Sequence, residues 1–92
     1  MPPSPLPDLI LYGRPGCGLC DDLRRDVVAL LEARRQSGLL APKLVDRDIE
    51  SNPAWEHAFF ASIPVLELAD RRLELATSPA RVRRLLTDVL DG

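Results

Sequence analysis

Asp8–Tyr12 reads DLILY, a short apolar run closed in by Pro7 and Gly13, and it predicts a strand buried on both faces. Residues 13–16 (GRPG) have the composition of a turn. Beyond them the hydrophobic period changes. Leu19, Leu23, Val27, Leu30 and Leu31 recur at spacings of three and four, which predicts one apolar stripe along a long helix. Asp21 and Asp22 fall in its first turn and Arg34 and Arg35 in its last, both complementing the helix dipole, and Gly38 marks the stop. Residues 43–49 (KLVDRDI) predict a second strand. Asn52-Pro53 has the form of an N-cap and first-turn pair, opening a short helix through Trp55, Phe59 and Phe60. Ser62-Ile63-Pro64 ends that helix, because a residue before proline avoids the helical region. Residues 64–68 and 72–76 alternate apolar and polar around a turn at Ala69–Arg71, which predicts a hairpin. Ser78-Pro79 repeats the cap signal, and Val82, Leu85, Leu86, Val89 and Leu90 form the stripe of a last helix.

The predicted order is strand, helix, strand, helix, strand, strand, helix: an α/β chain of pattern βαβαββα. The first strand–helix–strand makes a parallel unit and the hairpin adds two antiparallel strands. The expected architecture is a four-stranded mixed sheet with helices on both faces. Residues 1–7 contain four prolines and are expected to form an extended or disordered tail, leaving residues 8–92 as the domain.

The chain has 92 residues, room for a single domain, with 46% hydrophobic and 28% charged residues. Its only aromatics are Tyr12, Trp55, Phe59 and Phe60, so the core must be largely aliphatic. Twelve basic against fourteen acidic residues give 12 − 14 = −2. That balance argues against a general nucleic-acid binder and against a polybasic membrane anchor. No apolar run approaches the roughly 18 residues of a membrane span, and the first residues lack the basic start of a secretory signal. A monomer in the cytoplasm is expected. In that compartment two cysteines point to metal binding or catalysis rather than to a structural staple.

Those cysteines are Cys17 and Cys20, in the sequence Cys17-Gly18-Leu19-Cys20 at the predicted junction of strand and helix. A separation of three residues is nearly one helical turn, so both sulfurs face the same way and can close a disulfide with little backbone movement. A cysteine at a helix N-terminus meets free N–H groups and the positive dipole end, which favour its thiolate. Arg14 on the turn acts in the same direction, and Asp21 and Asp22 act against it. Cys17, at the open tip, is expected to attack; Cys20, one turn further in, is expected to resolve the mixed disulfide. Gly18 gives a substrate close approach to the chain, and Leu19 is expected to pack beneath the loop. A zinc site needs four ligands, whereas the chain holds two cysteines and one histidine, so no metal site is expected.

LILYGRPGCGLCDDLRRDV (residues 9–27) and SIPVLEL (residues 62–68) resemble the glutaredoxin-like group of the thioredoxin fold, and most closely its small bacterial members with a C-x-L-C-D motif. The element order matches over about residues 8–90. The resemblance implies a cis peptide bond at Ile63–Pro64 facing the dithiol, with Ile63 and Pro64 contacting substrate. It also places Arg14 where glutaredoxins bind the glycyl carboxylate of glutathione. The chain departs from glutaredoxins in two places. Its motif has Gly-Leu between the cysteines where Pro-Tyr is usual, and residues 70–82 (DRRLELATSPARV) lack the Gly-Gly pair that lets glutathione approach.

The function these features predict is a small thiol–disulfide oxidoreductase needing no bound cofactor. Its catalytic residues are Cys17 and Cys20, and its substrate-binding residues are Arg14, Gly18, Leu19, Ile63 and Pro64. The expected partner is a protein disulfide or a glutathione mixed disulfide, with glutathione a candidate co-substrate. A binding module that keeps the fold as a docking or redox-sensing surface is the rival reading. An iron–sulfur carrier using Cys17 ranks third. His57 and Trp55 are expected to be surface and packing residues, Asp46 and Asp48 solvated carboxylates, and Arg71, Arg72, Arg81, Arg83 and Arg84 a solvated basic face.

Overall fold

Apolar and polar positions sort into the expected elements in a computed structural model that describes residues 6–92. Of the predicted tail, residues 1–5 lie outside the described residues; Leu6 and Pro7 are exposed and belong to no helix or strand. The elements are β1 (Leu9–Gly13), α1 (Gly18–Gln36), β2 (Leu44–Asp48), α2 (Pro53–Phe59), β3 (Val65–Leu68), β4 (Arg71–Leu73) and α3 (Pro79–Leu86). A 3-10 turn at Ile49–Ser51 leads into α2, and a wider π turn at Thr87–Asp91 follows α3. The sheet order is β2-β1-β3-β4, with β1 parallel to β2 and antiparallel to β3. No helix among the described residues is long and apolar enough to cross a membrane.

The strand period of two divides the core. Leu9 and Leu11 of β1 and Leu66 and Leu68 of β3 point to one face, where they pack against Leu23, Val27 and Leu31 of α1 and Val82, Leu85 and Leu86 of α3. Tyr12 and Val65 point to the other face and meet Ile49, Phe59 and Ile63. Register explains the pairing: Leu9 lies opposite Leu68, Leu11 opposite Leu66 and Tyr12 opposite Val65. Each helix starts on a side-chain cap. The Asn52 carboxamide oxygen accepts from the Ala54 N–H at 2.9 Å, with Pro53 in the first turn. The Ser78 hydroxyl accepts from Arg81 N–H at 3.3 Å, with Pro79 beside it. Gly38, at φ +74°, provides the left-handed residue that ends α1.

Two expectations need correction. The stripe on α1 does not begin at Leu19, which is 54% exposed. The buried face runs through Cys20, Leu23, Val27, Leu31 and Arg34, so Cys20 takes the inward place one residue later and turns Leu19 to solvent. The second hairpin strand also stops at Leu73 instead of continuing to Ala76. Leu75 adopts φ +48°, a left-handed conformation that costs a non-glycine residue about 1–2 kcal/mol. Two hydrogen bonds hold the segment there, Leu75 N–H to Ser62 O and Ala76 N–H to Pro64 O, both 2.8 Å. The chain after β4 is thereby folded back onto the segment before β3, and Ala76 is fully buried.

Arg34 ties the far end of α1 to the C-terminus. Its guanidinium donates to Leu40 O at 2.6 Å and to the two carboxylate oxygens of Asp91 at 3.1 and 2.5 Å. These hydrogen bonds hold the Asp91 carboxyl below the usual carboxylate range. A carboxylate whose folded value is depressed adds stability above its unfolded value, and that stability is lost as pH falls through the folded one. Asp91→Asn is therefore expected to lower the urea midpoint at neutral pH and to leave it unchanged in acid below the folded value. Denaturation curves of both proteins across that range check it.

Candidate active site

β1 ends at Gly13, and the chain turns through Arg14–Gly16 before α1 begins. Cys17 N–H donates to Arg14 O at 3.3 Å and closes the turn, while Gly16 takes φ +78°, a conformation suited to glycine. Cys17 is the N-cap of α1, with extended φ and ψ of −87° and 106°. Its sulfur occupies the place a capping oxygen usually takes and accepts from the Cys20 N–H at 3.2 Å. Cys17 and Cys20 are joined as a disulfide, their Cα atoms 5.2 Å apart.

The two sulfurs differ in access. Cys17 is half-buried, whereas Cys20 has no exposed surface. Cys20 packs in the cluster of Tyr12, Phe59, Ile63 and Val65, with Cys17 at its margin. The Ile63–Pro64 peptide bond is cis, and Pro64 is buried beside β3. The structure thus brings Cys17, Cys20 and Ile63 into one cluster, with Pro64 following Ile63 along the chain. Gly18 and Leu19 are exposed on the first turn of α1.

Arg14 lies on the turn, exposed, with its guanidinium donating to Phe60 O at 3.2 Å. It thereby links the cysteine loop to the end of α2. The two aspartates of the first turn face solvent and are paired along the helix, Asp21 with Arg24 at 3.1 Å and Asp22 with Arg25. Asp46 and Asp48 are not merely solvated. Asp46 accepts from Arg24 Nε at 2.8 Å, which, as the largest influence, raises the guanidinium further above its ordinary value. Asp48 caps the 3-10 turn through the Glu50 N–H at 2.9 Å. These groups surround a cleft of about 210 Å3 lined by Arg14, Pro15, Arg24 and Arg47 among others, and neither cysteine lines it.

Sequence reading missed three features. Gly13 packs its Cα face directly against Cys20: a Cβ there would lie 3.1 Å from both Cys20 Cβ and Cys20 Sγ. Arg47 donates to the Tyr12 hydroxyl at 3.0 Å and stacks over the Trp55 ring at 5.0 Å, so Trp55 is a packing residue whose cover includes a cation. Phe60 is 61% exposed beside Arg14 rather than part of a helix face. Only a glycine directly before a motif turn gives a sequence signal, and it is a weak one.

A cysteine pair at disulfide distance on a helix tip is equipped for thiol redox chemistry. Among the described residues no group of three or more His, Cys, Asp and Glu side chains is placed to hold a metal ion. The chain is similar to structural genomics target XcR50 from X. campestris. Its X-ray structure matches with TM-score 0.69 and 27% identity, over 88% of this chain and 97% of that one. The solution structure of the same target gives TM-score 0.65 and 26% identity, over 89% and 95%. No curated protein matches the chain. Residues 8–90 match the model of the glutaredoxin-like domain (DUF836), and the chain belongs to that family.

Proposed function

We propose that the chain is a small thiol–disulfide oxidoreductase that passes two electrons from a Cys17/Cys20 dithiol to a disulfide substrate. The observation that carries this reading is the asymmetry of the pair: Cys17 half-exposed as the helix cap, Cys20 fully buried one turn behind it. In the reduced protein the Cys17 thiolate attacks one sulfur of the substrate disulfide. An S–S bond forms to Cys17, the substrate S–S bond breaks, and the departing thiolate takes a proton from solvent. Cys20 then loses its proton and attacks Cys17 Sγ. The mixed disulfide breaks, the second substrate thiolate leaves, and the internal disulfide of the structure forms. A low-molecular-weight thiol or a second dithiol protein resets the couple.

The chain's own groups support each step. The Cys20 N–H that donates to Cys17 Sγ remains available to a thiolate, and the end of α1 adds its dipole. Arg14 holds the loop against Phe60 O. Ile63 and Pro64 would seat the substrate chain beside the sulfurs.

Trapping tests the reading. Cys20→Ser removes the resolving thiol, so a disulfide substrate should stall as a covalent adduct on Cys17, seen as a mass increase that dithiothreitol reverses. The wild type should pass through that adduct without accumulating it. Failure of the wild-type disulfide to be reduced by any thiol, together with no adduct on Cys20→Ser, overturns the proposal.

A further inference from the structure

Three large apolar side chains stand exposed on three separate segments that are the cysteine motif itself or are hydrogen-bonded to its neighbours. Leu19, between the two cysteines, is 54% exposed; Phe60, just past α2, is 61% exposed; and Leu75, after β4, is 53% exposed. Their backbones are fixed. Leu19 belongs to the first turn of α1. Phe60 N–H donates to Glu56 O at 2.9 Å, and its own carbonyl accepts from Arg14. Leu75 is pinned in its left-handed conformation by the bond to Ser62 O, with Ala76 bonded to Pro64 O. Those same bonds set Leu75 beside the Ile63–Pro64 segment, and the Arg14 bond sets Phe60 beside the loop that carries Cys17.

We infer that Leu19, Phe60 and Leu75 form a specificity rim that selects protein disulfides whose flanking residues are apolar, in preference to glutathione mixed disulfides. The inference rests on the oxidoreductase reading above, because it is the redox step that forces a substrate sulfur against Cys17 and its flanking residues onto the rim. Apolar surface held out in water has most to gain from an apolar partner. Glutathione, a small polar tripeptide, has little apolar surface to bury there. Charge does not decide the matter: Arg14 keeps its charge while donating to Phe60 O, and Arg72, which stacks over Phe59, pairs with Glu67 at 3.3 Å. The aspartates in the turn of Leu19 are matched by Arg24 and Arg25, so that side offers no positive excess. The 210 Å3 cleft with further arginines is not lined by either cysteine. The sulfur therefore meets an open, apolar rim.

Single-turnover reduction by the reduced protein tests this with three substrates. They are a peptide disulfide flanked by Leu and Phe, the same peptide with Asp at those positions, and the glutathione mixed disulfide of a neutral peptide. The apolar peptide should react about tenfold or more faster than either of the others. The Phe60→Ser/Leu75→Ser chain, changed only at exposed positions, should bring the apolar peptide down to the rate of the acidic one. Iodoacetamide should still alkylate Cys17 at the wild-type rate. Equal rates on all three substrates, or a faster rate on the glutathione disulfide, overturn the inference while leaving the redox function intact. A protein that reduces none of them and forms no adduct refutes the oxidoreductase reading itself.

Discussion

Cys17→Ser is expected to abolish disulfide reduction, lowering the single-turnover rate by about a thousandfold or more, the scale seen when an enzyme loses its nucleophile. Serine keeps the size and the capping geometry, since a hydroxyl is a better helix cap than a thiol. Folding should survive, and only the chemistry should be lost. In the wild type the same geometry has a second consequence. The sulfur that accepts the Cys20 N–H at 3.2 Å sits at the positive end of α1, and both features stabilise charge on Cys17. Alkylation of Cys17 should follow a pH midpoint below the roughly 8.5 of a free thiol. Absorbance of the thiolate, titrated in the Cys20→Ser protein, reads that midpoint directly. A Cys17→Ser chain that still reduces disulfides at the wild-type rate would move the chemistry elsewhere.

Much of this site was legible in the sequence, because its signals are local. The period of two in β1 and β3, the period of 3.6 in α1 and α3, and the Asn52-Pro53 and Ser78-Pro79 caps each depend on residues close along the chain. Cys17 and Cys20 at a strand–helix junction are of the same kind. What was not legible depends on contacts between segments. Leu19 fits the apolar period as well as Cys20 does, and only the three-dimensional seat of Cys20 under Ile63 and Phe59 decides which turns inward. Leu75 continues an alternating pattern, yet hydrogen bonds to Ser62 and Pro64 pull it out of the strand into φ +48°. Arg34 reads as a charge that complements the helix end, but the chain closes over it through Leu40 and Asp91.

Gly13→Ala is expected to slow release of the mixed disulfide while leaving the first attack by Cys17 intact. A methyl group at Gly13 would lie 3.1 Å from Cys20 Cβ and from Cys20 Sγ, tighter than nine in ten real contacts of that type, so something must give by a few tenths of an ångström. Neither partner can yield easily: Cys20 is fully buried, and Gly13 is buried at the end of β1, paired with Asp48 of β2. Overpacking of this kind costs about 1–3 kcal/mol. The close contacts are with the Cys20 side chain, and Cys17, which caps the helix from its outer end, is not among the nearest atoms the methyl group meets. Cys20 must approach Cys17 Sγ in line with the substrate sulfur, so a shift of a few tenths of an ångström acts on the second step of the exchange. Stopped-flow reduction of a fluorescent peptide disulfide separates the steps. The burst of first thiol release should match the wild type, release of the second thiol should fall by about tenfold, and the adduct should accumulate between them. Equal slowing of both steps would assign Gly13 a purely structural part. An unchanged second step would show that β1 and α1 adjust to the methyl group without disturbing the resolving sulfur.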